Sequence, residues 1–137
     1  MSRPPESDGG DPREVWPLLL VADLTESLRF YRDGLGFAVV GRAETNGSLF
    51  WCRLKRGASV VMLQARHPQD APASAGTGGI SLYFVCDDVD VLHAEFAAAG
   101  LAVSPPSVAP YGMRQLFVPD PDGYSICFEA PTANWIG

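Results

Sequence analysis

The strongest constraint on this chain is a pair of segments that recur at one offset. Val61-Met62-Leu63-Gln64-Ala65 matches Ile126-Cys127-Phe128-Glu129-Ala130 position by position, an offset of 65 counted from Val61 to Ile126. Leu20-Val21-Ala22-Asp23-Leu24 matches Val85-Cys86-Asp87-Asp88-Val89 at the same offset, with Asp23 standing over Asp88. Two segment types at one spacing imply an internal duplication. The 137 residues are the length of one domain, so each copy is a half-domain sharing one core.

Each copy reads β-α-β-β-β. In the first, Val15 to Ala22 is a continuous apolar run, read as a strand buried on both faces. Pro17 has no amide donor, which places the run at a strand start or a sheet edge. Asp23-x-x-Glu26 has the form of a capping box. Leu24, Leu28, Tyr31 and Leu35 then make one apolar helical stripe, with Arg29, Arg32 and Asp33 facing away and Gly34 and Gly36 as stops. Strands follow over Phe37 to Ala43, Leu49 to Lys55 and Ala58 to Ala65, with turns at Asn46-Gly47 and Arg56-Gly57.

In the second copy a strand spans Gly79 to Cys86. Asp87 or Asp88 caps a helix with the stripe Val89, Leu92, Phe96 and Ala99, which Gly100 ends. A strand from Leu101 to about Ser104 is broken by Pro105-Pro106, and a loop over 107–113 carries Tyr111. The last hairpin, Arg114 to Ala130, turns at Asp120-Pro121-Asp122-Gly123, where Pro presets φ, Asp bonds its own backbone and Gly takes positive φ. The expected organisation is a disordered tail over 1–14, a first module over 15–65, a linker over 66–78, a second module over 79–130 and a C-terminal tail over 131–137, in which Trp135 packs on a neighbour.

A net charge of −6 with a pI near 4.7 argues against a nucleic-acid partner, which needs a basic face. It is compatible with a cationic ligand, and equally with simple solubility. Three cysteines, Cys52, Cys86 and Cys127, form no CxxC and sit in apolar runs, which argues for reduced thiols and a cytoplasmic protein. Met1 to Glu14 has no apolar core of a secretory signal, and no run approaches the ~18 apolar residues of a membrane span, so no membrane partner is expected.

Two such modules in tandem resemble the vicinal oxygen chelate superfamily, the group of glyoxalase I, the extradiol dioxygenases, fosfomycin-resistance enzymes and bleomycin-resistance proteins. The likeness is carried by the run from Asp23 through Gly34-Leu35-Gly36-Phe37, by Val85-Cys86-Asp87-Asp88-Val89-Asp90, and by Asp120-Pro121-Asp122-Gly123-Tyr124. It implies an α+β fold of two tandem β-α-β-β-β modules whose curved sheets form a cup-shaped central cavity. In enzymes of the family the cup holds a divalent metal. Its ligands are a His seven residues before each helix-capping Asp, a Glu four residues after the Gly of the last turn, and an acidic counterpart in the first module. Those positions here are Trp16, Ser81, Cys127 and Met62, with no imidazole and no carboxylate. Divalent ions want oxygen donors, and zinc wants His, Cys or carboxylate. No metal and no cofactor is therefore expected; Met62 and Cys127 as holders of a soft ion such as Cu(I) are the alternative. His67 and His93 lie off this axis and read as solvent-exposed.

Strand alternation from those four positions gives an inward set of Trp16, Leu18, Met62, Gln64, Ser81, Tyr83, Cys127 and Glu129. Tyr111 and Arg114, flanking the end of the loop before the last hairpin, complete the expected ligand-binding residues. These side chains either line a small-molecule pocket or fill the space between the modules. Glu129 reads as a raised-pKa acid or base, as a clamp for a cation, or as a solvated strand end. One of Phe50 and Trp51 faces inward, and the sequence does not say which. Cys127 as a nucleophile lacks a neighbouring base.

Three functions follow. The first is a metal-free protein of the bleomycin-resistance type that sequesters an aromatic or cationic small molecule, with antibiotics among the candidates. The second is a lyase or dioxygenase-like enzyme of the same superfamily with an atypical or absent metal site, working through Glu129 or Tyr83. The third is a regulatory or scaffold domain with a filled cup. The missing ligand set favours the first and leans away from catalysis. The resemblance also implies a homodimer in which the partner completes the cup.

Overall fold

The structure is a computed structural model that describes residues 9–67 and 79–137. Most of the expected tail and linker, over 1–14 and 66–78, lies outside the described residues. The first module is β1 (Leu18–Val21), α1 (Leu24–Leu28), β2 (Ala38–Thr45), β3 (Ser48–Arg56) and β4 (Ser59–Ala65). The second is β5 (Ser81–Val85), α2 (Val89–Ala98), β6 (Ser107–Val108), β7 (Met113–Pro119) and β8 (Ser125–Pro131). Each folds one four-stranded sheet, in the orders β1-β4-β3-β2 and β5-β8-β7-β6. The duplication holds in the register: Leu18 lies opposite Met62 and Tyr83 opposite Cys127, with the parallel strand at the sheet edge in both.

The helices start where the sequence places them. The Asp23 carboxylate accepts from the Glu26 amide (3.1 Å), and Asp88, not Asp87, caps α2 by accepting from the Asp90 and Val91 amides (3.0 and 3.2 Å). α1 does not end at Leu28. It widens into a π-helical turn over Arg29–Gly34, with the Leu35 amide bonded to the Phe30 carbonyl at 2.8 Å. The wider turn lets Phe30 and Tyr31, adjacent in sequence, both be buried, beside the expected Leu24, Leu28 and Leu35.

Two expectations are corrected. β1 is buried on one face only: Leu19 and Val21 are buried while Leu18 is 44% exposed, because an apolar edge strand still has only one covered side. Leu101 to Ser104 forms no strand. Ser104 makes a single pairing with Phe117, and pairing resumes only at β6, because Pro105 and Pro106 have no amide to donate.

One core joins the modules, built on the sheet faces that the helices cover. Leu19, Val21, Leu63, Leu28 and Tyr31 share it with Leu92, Phe96, Ile126 and Phe128. A row of rings crosses it. Phe37 of the first module meets Phe84 of the second edge-on (centroids 5.6 Å), Phe84 stacks on Phe128 (4.9 Å), and Phe128 meets Phe96 (4.9 Å). Arg56 forks onto Glu95 across the same seam.

The Asp120–Tyr124 turn is the second tie. Asp120 Oδ1 accepts from the Asp122 and Tyr124 amides (2.9 and 2.7 Å), and Gly123 supplies the positive φ of 90° that closes the turn. The turn then reaches into the first module three times. Tyr31 Oη donates to Asp120 Oδ2 (2.9 Å), the Ala22 amide donates to Asp122 Oδ1 (2.9 Å), and Tyr124 Oη donates to the Leu20 carbonyl (3.0 Å).

Candidate ligand-binding site

The faces of the two sheets turned away from the helices carry seven of the ten expected site residues on their strands, with Trp16 and Tyr111 beside them. On the first sheet Leu18, Met62 and Gln64 share one face, with Trp16 continuing it beyond the start of β1. Antiparallel pairing adds two residues that sequence reading missed: Trp51 opposite Gln64, and Arg53 opposite Met62. Trp51 is thus the member of its pair on this face, and Phe50 takes the other. A two-residue turn at Gly57-Ala58 would have predicted this register, by setting Arg56 opposite Ser59.

The second sheet carries Ser81, Tyr83, Cys127 and Glu129 on the equivalent face, joined by Gln115 and Phe117 from β7. Tyr83 and Phe117 meet edge-on at 6.4 Å and are 49% and 37% exposed. Gln115 donates from Nε2 to Glu129 Oε1 (2.9 Å) and to Tyr111 Oη (2.6 Å), so Tyr111 is tied to this face. Trp135 packs edge-on against Tyr111 at 6.0 Å, the neighbour expected for it. Gly112 makes that possible: at φ 97°, a Cβ there would collide with the Asn134 backbone. Arg114, one residue from Gln115 along β7, points to the helix side and forks onto Asp90 (2.9 and 2.8 Å), whose carboxyl that contact holds below the usual range. It does not join the others.

The contacts that hold the modules together do not bring these two faces against each other. Among the described residues, no hydrogen bond, ion pair or ring contact joins one face to the other. The modules do enclose a crevice of about 410 Å³, but on the helix side, lined by Phe37, Arg56, Phe84, Cys86, Asp88 and Leu92 among others, and by none of the ten expected site residues.

Burial, with a smaller push from Glu129, raises the Cys127 thiol to about 12, which disfavours the thiolate that nucleophilic attack needs. Desolvation also raises the Tyr83 phenol, which makes it a hydrogen-bond donor and not a base. The set Trp16, Met62, Ser81 and Cys127 therefore does not fit a divalent metal, and among the described residues no three His, Cys, Asp or Glu side chains gather to hold one.

Comparison with known proteins agrees with the fold. The family model described as glyoxalase/bleomycin resistance protein/dioxygenase superfamily matches residues 15–128. No curated protein matches. Among solved structures, TnmS3, an antibiotic binding protein from Streptomyces sp. CB03234, is similar at 25% identity and a TM-score of 0.71, covering 90% of this chain and 98% of its own. A glyoxalase/bleomycin resistance protein from the same organism is 27% identical with a TM-score of 0.64, covering 83% and 96%. The bleomycin-binding protein of bleomycin-producing Streptomyces verticillus, solved with copper(II)-bleomycin, shares the fold at 24% identity and a TM-score of 0.68, covering 89% and 98%.

Proposed function

The chain belongs to the glyoxalase/bleomycin resistance protein/dioxygenase superfamily, and from that premise we propose that it is a metal-free protein that binds and sequesters an aromatic small molecule of the antibiotic class. The observation that carries this is the pair of faces themselves. They present Trp16, Trp51, Tyr83 and Phe117 beside a few polar groups, and Trp16, Met62, Ser81 and Cys127 stand on them at the positions where the family's enzymes carry metal donors. The likeness to an antibiotic binding protein supports it. The enzymatic alternative, a lyase or dioxygenase relative with an atypical or absent metal site, has less support because Trp16, Met62, Ser81 and Cys127 offer neither imidazole nor carboxylate at the family's metal-donor positions. The free thiols Cys52, Cys86 and Cys127 fit a cytoplasmic setting.

The reading includes a homodimer. Leu18, Trp16, Tyr83 and Phe117 are 37–49% exposed, which leaves two half-open apolar faces on one chain. A two-fold axis that lays the second face of one copy on the first face of another completes two cups at once. Sedimentation at micromolar concentration is expected to give twice the 14.7 kDa of the chain; a species of 14.7 kDa alone sinks the dimer.

Trp16 tests the binding reading directly. At 41% exposure it plugs no cavity, so Trp16→Ala should lower stability by only about 1 kcal/mol or less. If the ring stacks on ligand, the same change should weaken binding about tenfold. Titration of a panel of planar antibiotics, read by tryptophan fluorescence, measures the second; a scan of Tm measures the first. No quenching by any member of the panel, or a large stability loss with no loss of affinity, overturns the proposal.

A further inference from the structure

Trp16 does not present a bare ring to a ligand cation. Arg53 already lies over it, the guanidinium carbon 4.7 Å from the ring centroid, and the indole N–H is tied to Glu14 (2.6 Å). Four other arginines, Arg29, Arg32, Arg56 and Arg114, each pair with a carboxylate. Arg53 does not. Among the described residues its hydrogen-bonding partner is the Val40 carbonyl, at a long 3.5 Å, which leaves most of its N–H donors without an acceptor. The side chain is half-buried, pressed on an aromatic face, and shares its sheet face with Trp51, Gln64 and the exposed Lys55.

We infer that Arg53 is a specificity-determining residue that takes the carboxylate or other anionic acceptor group of a planar aromatic ligand. The inference rests on the reading of these faces as a ligand site, and it names the ligand's chemistry at the end of the site nearest Trp16. A guanidinium offers a planar fork that fits a carboxylate in two parallel hydrogen bonds. Held against the indole, Arg53 has already lost much of the side-chain freedom that such a contact would cost. The ligand's rings then meet Trp51 and the free part of Trp16 while its anionic edge meets Arg53. The chain's net charge of −6 does not decide this: at physiological salt, charges beyond about 8 Å are largely screened, and the near ones are Arg53 itself, Lys55 on the same face and one opposing carboxylate, Glu14, which accepts from the Trp16 indole. The expected preference at this face is therefore opposite to the one the overall acidity suggests.

The test uses three probes of one shape: 2-naphthoate, 2-naphthylmethanol and 2-naphthylmethylamine. Binding to the full-length protein is followed by the indole N–H resonance of Trp16, assigned by its disappearance in Trp16→Phe. The naphthoate is expected to bind about tenfold tighter than the amine. Arg53→Gln should abolish that difference, and Arg53→Lys should restore part of it. A tighter amine, or a naphthoate affinity that Arg53→Gln leaves untouched, overturns the role of Arg53 and leaves the binding proposal standing. Failure of all three probes to shift the resonance removes both.

Discussion

Asp120→Ala is expected to destabilise the protein by about 3–4 kcal/mol, a fall in Tm of roughly 10–15 °C. The carboxylate is 5% exposed and accepts three hydrogen bonds: from the Tyr31 hydroxyl and from the Asp122 and Tyr124 amides. Alanine would leave the Tyr31 hydroxyl, itself fully buried, without its acceptor, and would loosen the turn that ties the second module to Ala22 and Leu20. Asp120→Asn should cost only about 1 kcal/mol, because the amide oxygen still accepts from the two backbone groups and its nitrogen can donate to Tyr31 with the bond reversed. Thermal scans of the two variants separate the acceptor's role from mere occupancy; equal small losses would mean the turn does not clasp the modules.

The same pair reports on pH. Burial raises the Asp120 pKa, against the opposing pull of its hydrogen bonds from Tyr124, Tyr31 and Asp122. A carboxyl with a folded pKa above its unfolded value, about 3.9, binds its proton more tightly in the folded chain. Its stabilising contribution is complete below the unfolded value and is lost as pH rises through the raised one. The stability of wild type relative to Asp120→Asn should therefore increase as pH falls from 7 into the carboxylate range. Carboxylates whose pKa is lowered, such as Asp33 and Asp90, act in the opposite sense, and they cancel in this difference.

Phe128→Ala is expected to cost about 3–5 kcal/mol, as removal of a fully packed aromatic does. Phe128 is 4% exposed, stacks on Phe84 and meets Phe96, and through Phe84 it is linked to Phe37 of the other module. Its loss opens a cavity at the seam that neither module can close alone. Phe117, on the neighbouring strand but the opposite face, is 37% exposed, and Phe117→Ala should cost about 1 kcal/mol. Denaturant midpoints at unchanged m-value measure both. Similar losses at the two positions would mean that the face carrying Phe117 is covered as well.

Much of this fold is local and was legible as such. The offset of 65 survives in the strand register, because a duplicated sequence repeats the same alternation and the same partners. Asp23 and Asp88 each cap a helix because a short acidic side chain there reaches amides two or three residues on. The first stripe, Leu24, Leu28, Tyr31 and Leu35, is buried as its spacing implies, and so are Val89, Leu92 and Phe96 of the second, while Ala99 at the end of α2 is exposed.

What the sequence could not decide depends on partners far along the chain. Alternation says that Met62 and Gln64 share a face with Leu18, but not which face the helices cover or which stays open. An apolar run such as Val15 to Ala22 reads the same whether one side or both are buried, and only the edge position of β1 leaves Leu18 exposed. Trp51 and Arg53 join the site face through the β3–β4 register, and Arg114 leaves it for Asp90 on α2. The Asp-Pro-Asp-Gly turn is read easily as a turn, because its backbone demands are local. That its carboxylates also hold Tyr31 and Ala22, and that Arg53 lies on Trp16, are contacts between segments no periodicity relates. Local spacing determined the elements; the packing of one module on the other decided which of their faces remain open to a ligand.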